Sequence, residues 1–414
     1  MSKITLPRWL SPRKVEAFQA LYNRNYRLLW IGQLGGSAAQ WVEVVARGWL
    51  IWQLTGSATL LAVVSLLRAL PMLTFGLFAG VAADRFDNRK ILIICKVVTL
   101  INYIVIATLI TTNLVEVWHV LLSSFVMGCS HSFEQPTRNA LVPSLVSKDE
   151  LTNAVALNSG AMNATRVVGP GVAGVLVAPI GVGGVYYLSA VIYVITLVAT
   201  IMMRVPPMTG RSGNTSMWSD MDETFRYVYR EKAALALVLI SLVPVVFGMP
   251  YMTLMPIFAD RVLNIGPAGL GWLYMAGGIG AMVVILTIAT LGRVPHKGLL
   301  SIIATVGFGA FLVAFSQSTR VPLSLFTMAL VGFASTAPRI LTNTSLLEIT
   351  PPGMRGRMMA IYTLDRGLMP LGTMLVGPLA DVVGAPTTLM GMGGVCILVA
   401  LAVGLALPII RRIE

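Results

Sequence analysis

The chain has 414 residues, 56% of them apolar and 11% charged, with a mean hydropathy of +0.80. A soluble protein carries about 25% charge, so soluble, disordered, fibrous and secreted disulfide-rich classes are excluded and a polytopic membrane protein is indicated. The formal charge of +13 would suggest nucleic acid on a soluble chain, but the placement of the cations removes that reading.

A spanning helix needs about 20 apolar residues. Twelve such segments are predicted, at 27–52, 58–82, 90–112, 116–141, 151–178, 184–203, 233–259, 268–292, 298–317, 321–347, 356–381 and 387–410. Runs of this length without period-two alternation argue against strands. The first run is too long for a signal-peptide core and no small-residue cleavage site follows it, so it is expected to remain as a span. Little chain is left for a separate catalytic domain. Cys95, Cys129 and Cys396 all lie inside apolar runs and read as small buried hydrophobes.

Of the 30 Lys and Arg, 21 fall in the termini and alternate loops, whereas the opposite loops hold Arg261 and Arg320. By the positive-inside rule both termini are expected in the cytoplasm, and the net charge becomes a topology signal. The expected organisation is a cytoplasmic segment 1–26, a six-helix bundle 27–203, a cytoplasmic linker 204–232, a second six-helix bundle 233–410 and a tail 411–414. In the linker, Trp218, Met221, Phe225, Val228 and Tyr229 recur at helical spacing, which predicts a short amphipathic surface helix. Residues 13–26 resemble a second one.

In the first predicted span Gln33, Ser37, Gln40, Glu43 and Arg47 fall within about 120° of arc at 100° per residue. Trp41 lies beside this polar stripe. Glu43 and Arg47 stand four apart in the favourable order for a pair. Two readings remain open: a pair that satisfies itself, or Glu43 as a proton or substrate group. The second span carries Arg68, with Asp365 or Asp381 across the halves as its expected partner. It ends in GVAADRFDNRK, where Gly80 would permit close helix contact and Asp84, Arg85, Arg89 and Lys90 would form a charged latch. Topogenic charge alone is the simpler reading of that loop.

The fourth span places His131, Glu134 and Arg138 on one face, next to a kink at Pro136. A gating salt bridge and proton carriage are both open for Glu134, with Arg166 as its candidate counter-charge. In the fifth span VVGPGVAG holds Gly169, Pro170, Ala173 and Gly174, small residues for tight packing around a helix-bending proline. The seventh span has Gly248, Pro250 and Pro256, which predicts a broken helix with Met252 and Met255 toward a cavity. The second half adds Arg339, Glu348 and the adjacent Asp365 and Arg366, which point in different directions. Glu43, Glu134 and Asp365 are the candidate proton carriers, since each would be a carboxylate inside the membrane.

The GVAADRFDNRK loop resembles the signature between helices 2 and 3 of the major facilitator superfamily, with Asp87 and Asn88 in place of its usual glycine and basic residue. Gly169, Pro170, Ala173 and Gly174 look like the helix-5 element of the superfamily's antiporters. NRNYRLLW, RGWLIWQLTGSA and RNALVPSLVSKDELTNAVALN resemble the enterobactin-exporter and macrolide-efflux branch. The resemblance implies an all-helical fold of twelve spans in two pseudo-symmetric bundles. It also implies a proton-driven exporter of drugs or siderophores, acting as a monomer in the bacterial inner membrane. A lipid or lysophospholipid flippase, or a metal or solute transporter without proton antiport, is the alternative. No metal-ligand cluster, nucleophile elbow or phosphate loop is present, so neither an enzyme nor a cofactor is expected. A sensing receptor is disfavoured by the lack of soluble domains.

Overall fold

A computed structural model describes residues 16–147, 149–205, 226–291, 294–351, 354–355, 358–359, 362 and 365–412. The side chains of residues 16, 17, 77, 81, 84, 365–367 and 412 lie outside that description. Regular structure among the described residues is helical throughout.

A 3-10 turn (Glu16–Tyr22) leads into α1 (Arg24–Thr55), α2 (Ala58–Arg85), α3 (Asn88–Thr111), α4 (Val117–Leu145) and α5 (Leu151–Met202). Then follow α6 (Lys232–Val262), α7 (Gly266–Leu291), α8 (Lys297–Ser316), α9 (Val321–Ile349), α10 (Asp365–Val383) and α11 (Ala385–Ala406). Side-chain caps set several starts. Asn23 accepts from the backbone of Asn25 and Tyr26, Ser57 from Leu60, and Asp87 from Arg89 and Lys90. Each satisfies orphan N–H groups of a first turn.

Eight helices among the described residues are long and apolar enough to cross a membrane. The 32-residue α1 and the 29-residue α4 are long enough but fall outside that group, because their polar stripes lower the mean hydropathy. The predicted segments 151–178 and 184–203 both lie in α5. Gly181, at φ +68°, breaks it, a conformation that favours glycine. The chain folds back there: Tyr26 Oη donates to Ala154 O, while Thr200 stands beside Gly32 on the same part of α1. In α6, π turns at Pro244–Gly248 and Phe258–Val262 interrupt the helix, where prolines cannot supply the N–H of a regular ladder. Of the expected surface helix of the linker, Trp218, Met221 and Phe225 lie outside the described residues, while 226–230 are helical. Of its pattern, Val228 is buried and Tyr229 is exposed.

The early and late helices meet along two seams. α5 packs on α7, and α2 packs on α10. A Cβ on Gly377 of α10 would stand 2.8 Å from Ala58 O and 2.5 Å from Ala62 Cβ of α2, so the backbones touch. By contrast, a Cβ on Gly80 would meet nothing within 4 Å. The close contact expected at Gly80 is therefore absent among the described residues, because α2 and α10 meet at the opposite end of α2.

Candidate functional site

A cavity of about 860 Å³ lies between these helices. Its walls come from α1 to α5 on one side and from α6, α7 and α9 on the other. Gln33, Ser37, Gln40, Trp41, Arg68, His131, Glu134, Arg138, Arg166 and Arg339 all line it. It extends to Pro143 and Leu151, at the α4–α5 end.

The α1–α2 end is sealed. Trp52 Nε1 donates to Asp260 Oδ2 at 2.8 Å, and the Arg261 guanidinium lies 4.6 Å from the Trp52 ring centroid. Asp381 of α10 accepts from Ser57 Oγ at 2.9 Å, Ala58 N at 2.7 Å and Thr59 N at 2.9 Å. A carboxylate on the first turn of α2 is favoured by the free N–H groups and the helix dipole. Asp381→Asn removes the charge and puts an amide donor where a second acceptor stood. It is expected to loosen this end, seen as several-fold faster maleimide labelling of an Ala62→Cys reporter; unchanged labelling would mean that Asp381 does not hold the seam.

Glu43 is almost fully buried and does not line the cavity. Its Oε1 lies 2.9 Å from Arg47 Nε and its Oε2 lies 3.1 Å from Arg68 Nη1. Arg47 also reaches Val64 O and Ser124 Oγ, so the cluster ties together α1, α2 and α4. Arg47 itself stays behind the cavity wall. Arg68 therefore answers Glu43 of the neighbouring helix, and Asp381 is engaged at the start of α2; the Asp365 side chain lies outside the described residues.

A second cluster stands nearer the α4–α5 end. Glu134 Oε1 lies 3.5 Å from Lys96 Nζ and 3.6 Å from Arg138 Nη1. These contacts are longer than those of Glu43, and Glu134 borders the cavity. His131 lines the cavity beside it, one turn earlier on the same helix. Lys96 also stands over the Tyr193 ring at 5.6 Å, and Tyr193 packs edge-on to Tyr103. Arg166 is not the counter-charge of Glu134. Its guanidinium lies 6.0 Å from the Trp41 ring centroid, on the face of α5 turned toward α1.

Gly169 sits against Trp41, and Gly171 against the Met275 side chain. A Cβ on Gly174 would stand 2.7 Å from Pro267 O and 2.8 Å from Gly271 Cα. The Gly-Pro element, with Ala173 fully buried, thus forms the closest approach of α5 to α7. Met252 and Met255 do not line the cavity; Met255 is fully buried in packing, and Met249 takes the lining position. The π turn at Pro244–Gly248 shifts which residues face inward relative to a regular helix.

Of the loop after α2, the Asp84 side chain lies outside the described residues. Arg85 and Lys90 are exposed. Arg89 donates to Thr200 O and Ile201 O, capping the last turn of α5. Asp365 and Arg366 begin α10, and their side chains are outside the described residues. The residue missed in the sequence is Lys96. A lone cation in IICKVV was its signal, since a charge inside a span needs a partner.

A family model described as a transmembrane secretion effector matches residues 15–413. A multidrug efflux pump, Tap, from Mycolicibacterium fortuitum is 25% identical over 398 residues, covering 94% of this chain and 96% of that protein. A staphyloferrin A transporter from Staphylococcus aureus is 23% identical over 360 residues, covering 86% and 90%. Among solved structures, the nucleoside transporter NupG superposes with a TM-score of 0.70 at 15% identity, covering 92% of this chain and 98% of that one.

Proposed function

Because this chain belongs to the transmembrane secretion effector family of the major facilitator superfamily, a family of membrane transporters rather than enzymes, we propose that it exports amphipathic small molecules in exchange for protons. It is a multi-pass membrane protein. We read it as twelve spans, with α5 supplying two, arranged as bundles 27–203 and 233–410. The positive-inside count puts both termini and the α4–α5 end in the cytoplasm of a bacterial inner membrane. The sealed α1–α2 end then faces outward, and the cavity faces the cytoplasm. We read the protein as a monomer.

The observation that carries proton exchange is Glu134, a carboxylate that borders the cavity between two loosely held cations. A cation nearby favours the charged carboxylate, and withdrawing it in a low-dielectric site favours the protonated one. A rearrangement within the first bundle that turns the Lys96 or Arg138 side chain away from Glu134 would load a proton from outside. Return to the arrangement described here would expel it inward. Glu43 is held by both oxygens away from the cavity, which suits a structural counter-ion.

The test is proton release from purified protein on adding a lipophilic cation, a macrolide, a catecholate siderophore or a lysophospholipid. Release with one class is expected for the unaltered protein. Glu134→Gln is expected to abolish the release while cargo still binds. Binding with no release in the unaltered protein would overturn antiport and favour a facilitator or flippase.

A further inference from the structure

Around the cavity, the charges of the described residues do not balance. Among the described residues, Arg47 and Arg68 share Glu43, and Lys96 and Arg138 share Glu134. Arg166 and Arg339 have no carboxylate partner among the described residues. Both line the cavity, one from α5 and the other from α9. Arg339 is exposed to the cavity space, while Arg166 is half-buried against Trp41. Two like charges on opposite walls of one cavity repel each other.

We infer that the cargo is an anion: an amphipathic carboxylate whose charged end bridges Arg166 and Arg339. Guanidinium groups suit a carboxylate because their planar forks match its two oxygens. Trp41, Met162 and Met249, which also line the cavity, would take the apolar body. The inference rests on the export reading and narrows its substrate class. It also gives the cargo a mechanical part. An anion between the two arginines offsets their mutual repulsion, which favours bringing the two walls together.

The test uses full-length protein in nanodiscs and three pyrene probes: pyrenebutyrate, its methyl ester, and a pyrenebutyl trimethylammonium salt. Affinity is measured by equilibrium dialysis. The carboxylate is expected to bind at least about tenfold tighter than the other two, the scale of one charge-assisted pair. Arg166→Gln and Arg339→Gln should each lose about tenfold for the carboxylate alone. Arg339→Lys should recover most of the loss, because the charge is kept.

Equal or tighter binding of the ester or the ammonium probe overturns the inference. So does unchanged carboxylate affinity in both Gln variants at unaltered Tm. Acetate competing as well as pyrenebutyrate would reduce the site to a plain anion site and overturn the amphipathic cargo. The proton readout is separate. Carboxylate binding without proton release would sink antiport and keep the anion site; proton release driven by the ammonium probe alone would do the reverse.

Discussion

Glu43→Gln is expected to cost the protein its fold before its chemistry. The carboxylate neutralises two guanidinium groups at 2.9 Å and 3.1 Å in a site with almost no exposure. Glutamine is close to isosteric but leaves Arg47 and Arg68 facing each other with no negative charge between them. Removing one member of a buried charge cluster costs about 3–5 kcal/mol, because the remaining charge stays buried and uncompensated. Total stability of a folded domain is about 5–15 kcal/mol, so folded yield and Tm should drop together, with transport following the yield. Glu43→Asp, shorter but charged, should retain more of both. Size-exclusion profiles and thermal unfolding in detergent check this. A Glu43→Gln protein with ordinary Tm and no proton release would reassign the proton to Glu43.

The second large effect is expected at Gly174. Its α-carbon meets the backbone of α7 so closely that even alanine would collide with Pro267 O and Gly271 Cα. Backbone cannot yield as a side chain can, so Gly174→Leu should wedge this seam apart. Closure of the α1–α2 end would then be disfavoured, and transport should fall roughly 100-fold, equivalent to about 2.7 kcal/mol against the closed arrangement. The Ala62→Cys reporter should label faster in the same variant. Gly171→Ala is the control. Its neighbour is the flexible Met275 side chain, which can move aside, so transport should change little. Equal effects of the two substitutions would mean that the seam is not the working contact.

Features set by neighbours along the chain were legible in the sequence. The apolar runs located the helices, and four-residue spacing identified Glu43 with Arg47 and Glu134 with Arg138. Contacts between helices were not legible, because spacing carries no information about which helix lies alongside. The Arg68–Glu43 pair, the Arg166–Trp41 contact and the place of Lys96 beside Glu134 all join different helices, and the sequence does not reveal them. Met252 and Met255 were misplaced for a related reason: π turns in α6 change the residue-to-face relation that a regular helix would give. Glycines show the same limit. Gly174 and Gly80 look alike in sequence, yet one touches backbone and the other touches nothing.

The two shared-charge clusters both belong to α1–α4, whereas the second half brings a lone Arg339 to the cavity among the described residues. The labour of the two halves is thus unequal. If the proton-handling parts sit in one half, the wall formed by α6, α7 and α9 is free to vary without disturbing them. Selection for new cargo could then act on Arg339 and Met249 of that wall without touching Glu134, and chimaeras that exchange it between relatives would alter its share of cargo recognition while leaving the drive intact.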